Sequence, residues 1–312
     1  MAISIVDLAG ICVKNSNYLQ TRRRINHLID RYLSLEILVG NLIALPVQFN
    51  HPHQRPWEPI HWGEITLDQI VGVEPEIFLS LVANATEIEA PIQDYAAESM
   101  AYLAEIHSEM ALFIGGAPAT ETRKRTISVW EKEERQHAPV FKKIYQKLVG
   151  EYPTITPNTV TGYQSSGDRL TDLHHHLHSR ISTEWSATSI YLWLMAHATG
   201  ELQKAIAQPL QDEVNHLAKF WGFSCWAFGD SYFNQVKFST KNLVKLARYH
   251  SAERTDADHL LESITSFEEL PHVIELGFTF MRVMVRMGTF NQELSPSFLS
   301  YLFQKSEAIA HD

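Results

Sequence analysis

The sequence predicts an all-α protein. Helix-periodic apolar residues run through long segments of the 312-residue chain, and its 14 Gly and 13 Pro cluster between those segments. No strand-like alternation persists anywhere along it. Two copies of Glu-x-x-His, Glu134-Arg-Gln-His137 and Glu213-Val-Asn-His216, fall inside helical segments. Glu and His at i and i+3 share a helix face, so each pair can offer a carboxylate and an imidazole to one metal ion. Two such pairs, with one Glu from each of two further helices, build a dinuclear carboxylate site inside a four-helix bundle.

The elements follow in order. Residues 17–45 form a first amphipathic stretch, and the Pro-, His- and Trp-rich connection 46–62 is too dense in turn formers to be regular. Pro75 suits the first turn of a long helix reaching Ile114, with Pro91 as an interior kink. Gly115-Gly116-Ala117-Pro118 stops that helix, and Thr120 caps the next, which carries the first Glu-x-x-His. A linker over 150–167 contains Pro153 and Pro157. Asp168 caps a third helix that runs to Ala198, and the break at Thr199-Gly200 starts the fourth, with the second motif. Beyond Gly229, three or four shorter helices complete the chain. Pro139 and Pro209 lie beside the motifs and either open a distorted turn there or bend the helices to fit the core. The two hairpins form a two-fold internal repeat in layout. The expected organisation is one domain over 1–312, with a metal-binding core at 75–228 flanked by helices in 1–74 and 229–312.

Bulk properties narrow the function. A composition of 45% hydrophobic and 20% charged residues is that of a soluble globular protein, and a net charge of −10 argues against a general nucleic-acid binder. Cys12 and Cys225 allow no disulfide framework, which points to a reducing compartment. The first 13 residues lack the pattern of a signal peptide, and the apolar run 35–47 is interrupted and too short for a membrane span. The expectation is a cytoplasmic protein without a membrane span, and a homodimer is the default assembly.

Glu184 and Glu213 stand at matching levels on either side of the Thr199-Gly200 break, so Glu184 is the third-helix ligand. In the first hairpin Glu87, Glu98 and Glu105 share a face. The turn after Gly115 favours Glu98, which has Ala101 at i+3 as Glu184 has Ala187. Glu133 and Asp212 each precede a ligand Glu, so each can hold the His of the opposite helix, or else form ordinary surface ion pairs. Trp130 can pack beneath the cluster or carry electrons; core packing is the commoner use of Trp130, Trp185 and Trp221. The run His174, His175, His176 and His178 reads as a solvated stretch early in a helix. His51, His53 and His61, with Trp57 and Trp62, pack a loop over the bundle or form a lid. The basic stripes Lys241/Lys245/Arg248 and Arg123/Lys124/Arg125 are solvated or dock an acidic carrier protein.

Four helical carboxylates with two Glu-x-x-His motifs resemble the ferritin-like di-iron carboxylate superfamily. Trp130-x-x-Glu133-Glu134-x-x-His137, Asp212-Glu213-x-x-His216 and Thr86-Glu87-Ile88-Glu89-Ala90-Pro91 resemble, within it, the soluble acyl-carrier-protein desaturases, over roughly residues 57–225. The resemblance implies a ferritin-like four-helix bundle and makes Glu87 the first ligand, against the level argument for Glu98. It departs from the family at Ala187, where the family has Thr; here Thr188 follows one position later. Phe141 replaces the Tyr a radical-generating site would need.

Carboxylate-rich sites with two His suit iron better than copper or zinc. The resemblance implies two Fe ions, or a Mn/Fe pair, that activate O2 to oxidise an unactivated C–H bond. The substrate would be apolar or acyl, either free or bound to acyl-carrier protein, and an external ferredoxin-like donor would supply electrons, since the chain has no flavin or nicotinamide fingerprint. Thr188 presents its hydroxyl to bound oxygen or a proton path, unless it bonds its own helix backbone as such residues commonly do. Tyr191, Leu192, Leu194 and Met195 favour an organic substrate. The alternatives are a non-catalytic ferritin-like protein that stores iron or removes peroxide, and a scaffold that has lost chemistry; a candidate for every ligand argues against the latter.

Overall fold

The computed structural model describes residues 16–88, 107–117, 126–154, 167–229, 232–238 and 270–309, with positions 96, 100, 103, 104, 124, 240 and 241 between them. Every regular element among the described residues is helical, and the only pairing of strand type is two isolated bridges.

The N-terminal stretch forms two helices where the periodicity suggests one, α1 (Ser16–Tyr32) and α2 (Leu35–Ile43), and the connection expected to be irregular opens with a third, α3 (Leu45–Asn50), whose Pro46 sits in its first turn where no amide is needed. Ser34 is the cause of the first break. Its backbone is extended and its hydroxyl accepts from the Ile37 amide, which satisfies a donor that the start of α2 leaves open. Leu19–Asn50 is by length and composition apolar enough to cross a membrane; here it is divided by these caps.

Helix α4 (Pro75–Ile88) begins at the expected proline. The long helix predicted to Ile114 is not continuous. His107 is extended, and its ring nitrogen accepts from the Met110 amide at 3.0 Å to cap a separate helix, α5 (Ser108–Gly115). Pro91, Glu98 and Glu105 lie outside the described residues. The stop after α5 is as expected, with Gly116 at φ +73.

The helix carrying the first motif starts at Ser128 rather than Thr120, which lies outside the described residues. Ser128 accepts from the Glu131 amide and donates to the Ile114 carbonyl, tying the new helix to the end of α5. That helix is also split, into α6 (Val129–Glu134) and α7 (His137–Val149). Pro139 explains the split. It has no N–H for the Arg135 carbonyl, and its ring crowds that carbonyl, so Arg135-Gln136 form a turn instead. Pro209, by contrast, is absorbed inside a continuous helix.

Two long helices make the centre, α8 (Arg169–Ala196) and α9 (Gly200–Phe228), each roughly 40 Å long. Their tip is pinned from outside: the Val71 amide donates to the His197 carbonyl and the Thr199 amide to the Gln69 carbonyl, both at 2.9 Å. α4 packs on α7, α7 on α9, α9 on α8 and α8 on α4, a closed cycle of contacts. α1 and the C-terminal α10 (Leu270–Glu293) cover α8, while α2 and α11 (Pro296–Ile309) cover α9.

The histidine run on α8 is not solvated. His176 and His178 are buried, and His174 packs edge-on against Phe228 and Phe238, at 4.7 and 5.0 Å between ring centroids. The end of α9 and segment 232–238 cover this turn, a tertiary contact that composition cannot show. Burial, helped by Arg180, pushes the His176 imidazole down to about 3.

A Cβ at Gly116 would stand 1.9 Å from the Thr126 carbonyl oxygen, on a backbone at positive φ. Gly116→Ala is therefore expected to destabilise the fold by about 2–3 kcal/mol. A urea midpoint equal to that of the unaltered chain would contradict this account of the α5–α6 junction.

Candidate metal centre

α6, α7, α8 and α9 bring Glu134, His137, Glu184, Glu213 and His216 together in the interior, all buried. Donor atoms of Glu134, Glu184, Glu213 and His216 lie within 4.8 Å of one another. His216 Nδ1 stands 2.8 Å from Glu134 Oε1 and 3.6 Å from Glu184 Oε2. His137 Nδ1 stands 2.9 Å from Glu213 Oε1 and 3.3 Å from Glu134 Oε2. Glu134 thus gives one oxygen to each imidazole and spans the two halves of the cluster. The turn at Arg135-Gln136 lies between its two motif partners, so the i, i+3 pairing survives although the pair straddles a helix break.

Both imidazoles are held from behind. His216 Nε2–H donates to Glu133 Oε2 at 2.8 Å, and His137 Nε2–H to Asp212 Oδ2 at 3.3 Å. Each carboxylate therefore reaches the histidine of the opposite Glu-x-x-His segment, and each ring is left with Nδ1 facing inward. A loop residue that the sequence gave no reason to single out, Arg55, anchors both carboxylates. Its backbone amide donates to Glu133 Oε1 and its Nε to Asp212 Oδ1, each at 2.7 Å. Its guanidinium also donates to the Gln208 carbonyl, while the Gln208 side chain accepts from the Glu58 amide at 3.0 Å. Trp57 Nε1–H donates to Asp212 Oδ2 at 2.8 Å, and its ring stacks 6.2 Å from that of His137. The Pro- and Trp-rich connection is thus a cover on this side of the cluster. His51, His53 and His61 are exposed, and the His61 amide ties the connection to Glu201 of α9 at 2.8 Å.

The donor set fits divalent cations. Glu134 Oε1, Glu184 Oε2 and His216 Nδ1 are buried and make no hydrogen bond among the described residues, although they crowd together. Donors sharing an ion at about 2.1 Å stand roughly 3.0–3.4 Å apart, close to the separations seen here. Glu133, Glu134, Glu184, Asp212 and Glu213 are all buried, against fixed positive charge from Arg55 and from buried Lys219. Burial pushes the Lys219 ammonium down to about 8, and its Nζ donates to Gln48. Without cations the remaining charge must be met by protons. Burial opposes charging of the imidazoles, but Glu134 and the other carboxylates outweigh it and raise both His137 and His216 well above 6.5. Burial likewise opposes ionisation of Glu134, and the two histidines overcome it, holding the carboxyl well below its usual range.

No protein-family model, no curated protein and no solved structure matches the chain. The site stands on its own geometry.

Around it, Thr188 lies one turn after Glu184 and is fully buried. Ser182, Thr183, Ser186 and Ser189 all donate to carbonyls of their own helix. The Thr188 hydroxyl does not; it makes no hydrogen bond among the described residues. Trp130 packs edge-on to His216 at 6.3 Å and beside Phe220. Glu87 sits in the last turn of α4, 9% exposed, and is not among the clustered donors, while Glu98 lies outside the described residues. Tyr191, Leu192, Leu194 and Met195 are packed into the core, with Tyr191 4.7 Å from Phe141.

Two predictions follow from the cluster's wiring. In the cation-free protein the raised histidines contribute stability below about pH 6.5, and that contribution is lost as pH climbs through their elevated values. Ions must displace those protons, so the rise in Tm on adding Mn(II) or Fe(II) should widen from about pH 6 to about pH 9. A constant or shrinking rise would refute the competition. Arg55→Ala keeps the amide on Glu133 but removes the guanidinium from Asp212 Oδ1, so titration should show cation binding on the His137 side weakened by roughly 10- to 100-fold and that on the His216 side nearly unchanged.

Proposed function

We propose that the closed helix cycle is a ferritin-like four-helix bundle, and that the chain is a dinuclear iron oxidoreductase using O2 on a largely apolar substrate. The observation that carries this reading is the shared Glu134 between two inward-facing imidazoles, each backed by a carboxylate from the opposite segment. Glu134, His137, Glu184, Glu213 and His216 would hold the two ions, with Glu87 or Glu98 as the remaining ligand. Bound iron would supply the electrons to reduce O2 and, once oxidised, the power to take hydrogen from a C–H bond; a Mn/Fe pair has the same ligand requirements.

The chain's own residues would do the rest. Asp212 and Glu133 fix the ring tautomers. Arg55 and Trp57 close the cluster against water on the side of the loop, and the exclusion of water strengthens every charge interaction inside. The Thr188 hydroxyl would hold a proton one turn from Glu184, where no backbone acceptor competes for it. The substrate would be an apolar or acyl chain, delivered by acyl-carrier protein or free, and a ferredoxin-like donor would supply electrons. A non-catalytic, iron-storing protein is the competing reading.

Anaerobic iron(II) titration is expected to reveal two ions per chain that depend on Glu134, both lost in Glu134→Ala. Uptake of many ions per chain would favour storage, and no Glu134-dependent uptake would remove the centre altogether. Thr188→Val should leave both ions bound and slow oxygen consumption by roughly tenfold or more. Unchanged consumption would take the hydroxyl out of the reaction.

A further inference from the structure

A second cluster lies at the other end of α8, about 20 Å along the helix from Glu184. His197 caps the C-terminus of α8, and His272 and Glu275 occupy the first turns of α10, one turn apart. His197 Nε2 stands 3.2 Å from Glu275 Oε2, and His272 Nδ1 stands 3.5 Å from the same oxygen. Ligating atoms of the three residues lie within 4.8 Å of one another.

What distinguishes this group from an ordinary ion pair is how the rings are held from outside. The Val71 carbonyl accepts from His197 Nδ1–H at 2.9 Å, and Glu74 Oε2 accepts from His272 Nε2–H at 3.0 Å. With those protons committed outward, each ring in its neutral form turns a lone pair toward one carboxylate oxygen, and the His197 Nε2–Glu275 Oε2 contact is a hydrogen bond only when that ring carries a second proton. His272 Nδ1 is buried and makes no hydrogen bond among the described residues. Donors bound at about 2.1 Å around a tetrahedral ion are separated by roughly 3.4 Å, and the separations here bracket that value. The arrangement repeats the logic of His137 and His216, with a carbonyl and a carboxylate behind the two rings.

We propose that His197, His272 and Glu275 form a mononuclear site for a divalent transition ion, Zn(II) by ligand type, with a fourth position left to solvent. The His272 side chain keeps 14% of its surface exposed, which leaves the group open to solvent on that side. The ion would clamp the start of α10 to the α8–α9 tip. Through Val71 and Glu74 it would also fix the segment that leads into α4. This site shares no residue with the di-iron reading and stands or falls separately.

The test uses the untagged full chain, stripped with chelator, carrying Glu134→Ala and His216→Ala so that the central cluster is disabled. Titration with Zn(II), and with Co(II) as a spectroscopic probe, is expected to show one ion per chain, a nitrogen–oxygen Co(II) spectrum of low coordination number and a higher Tm. Adding His272→Gln should abolish that ion, and Glu74→Gln should weaken it by roughly 10- to 100-fold. In the otherwise unaltered chain, His272→Gln alone should lower the zinc content by one, a comparison that does not rely on the central variant folding. Zinc content unchanged by His272→Gln, or no zinc uptake outside the central cluster, would overturn the proposal and leave a group held together by protons.

Discussion

Five carboxylates, those of Glu133, Glu134, Glu184, Asp212 and Glu213, are buried within one group of helices. Buried charge is costly unless it is paired and hydrogen-bonded. That constraint organises the centre of the protein. Arg55 and Lys219 provide fixed countercharge, and His137 and His216 provide more, either as protonated rings or as ligands to cations. The outer carboxylates have both oxygens occupied, one by a histidine and one by Arg55. The inner ones keep oxygens with no hydrogen-bond partner among the described residues, Glu134 Oε1 and Glu184 Oε2. Such a division, satisfied behind and unsatisfied in front, leaves a buried donor group that could hold a cation.

The rigidity of the site comes from the helices that carry it. α8 and α9 are long and are pinned at their tip by the backbone of residues 69–71. They deliver Glu184, Glu213 and His216 to one level. On the opposite wall the chain is broken between Glu134 and His137, and the two ligands still converge. The break gives α7 its own direction while Glu134 remains the last residue of α6. A proline beside a ligand pair is therefore accommodated at low cost, because the turn it forces falls between the ligands and not on them.

The two clusters obey the same rule at different depths. In each, an imidazole is held through one nitrogen by an acceptor from a neighbouring segment, and its other nitrogen faces a carboxylate. At the centre the acceptors are carboxylates, which add negative charge and make ligands more basic. At the end of α8 one acceptor is the neutral Val71 carbonyl, and the group holds fewer acids. The first arrangement therefore concentrates more buried negative charge than the second.

Much of the centre was legible in the chain itself. Glu-x-x-His fixes a carboxylate and an imidazole one turn apart, but spacing alone leaves Glu133 and Asp212 between holding the opposite His and a surface ion pair, and the fold decides for the former. Glu184 followed from the position of Gly200. Helix periodicity and the sparse Gly and Pro were enough for the all-α class. Local bonds decided the breaks at Ser34 and His107, where a side chain competes with the backbone in a way an apolar pattern does not register, whereas the break at Arg135-Gln136 follows from Pro139, which the sequence itself marks. Only the folded chain could bring in Arg55, bury the His174–His178 run beneath Phe228 and Phe238, or set His197 against His272 and Glu275. Those contacts join residues far apart in sequence, and no periodicity records which distant segment will cover which face.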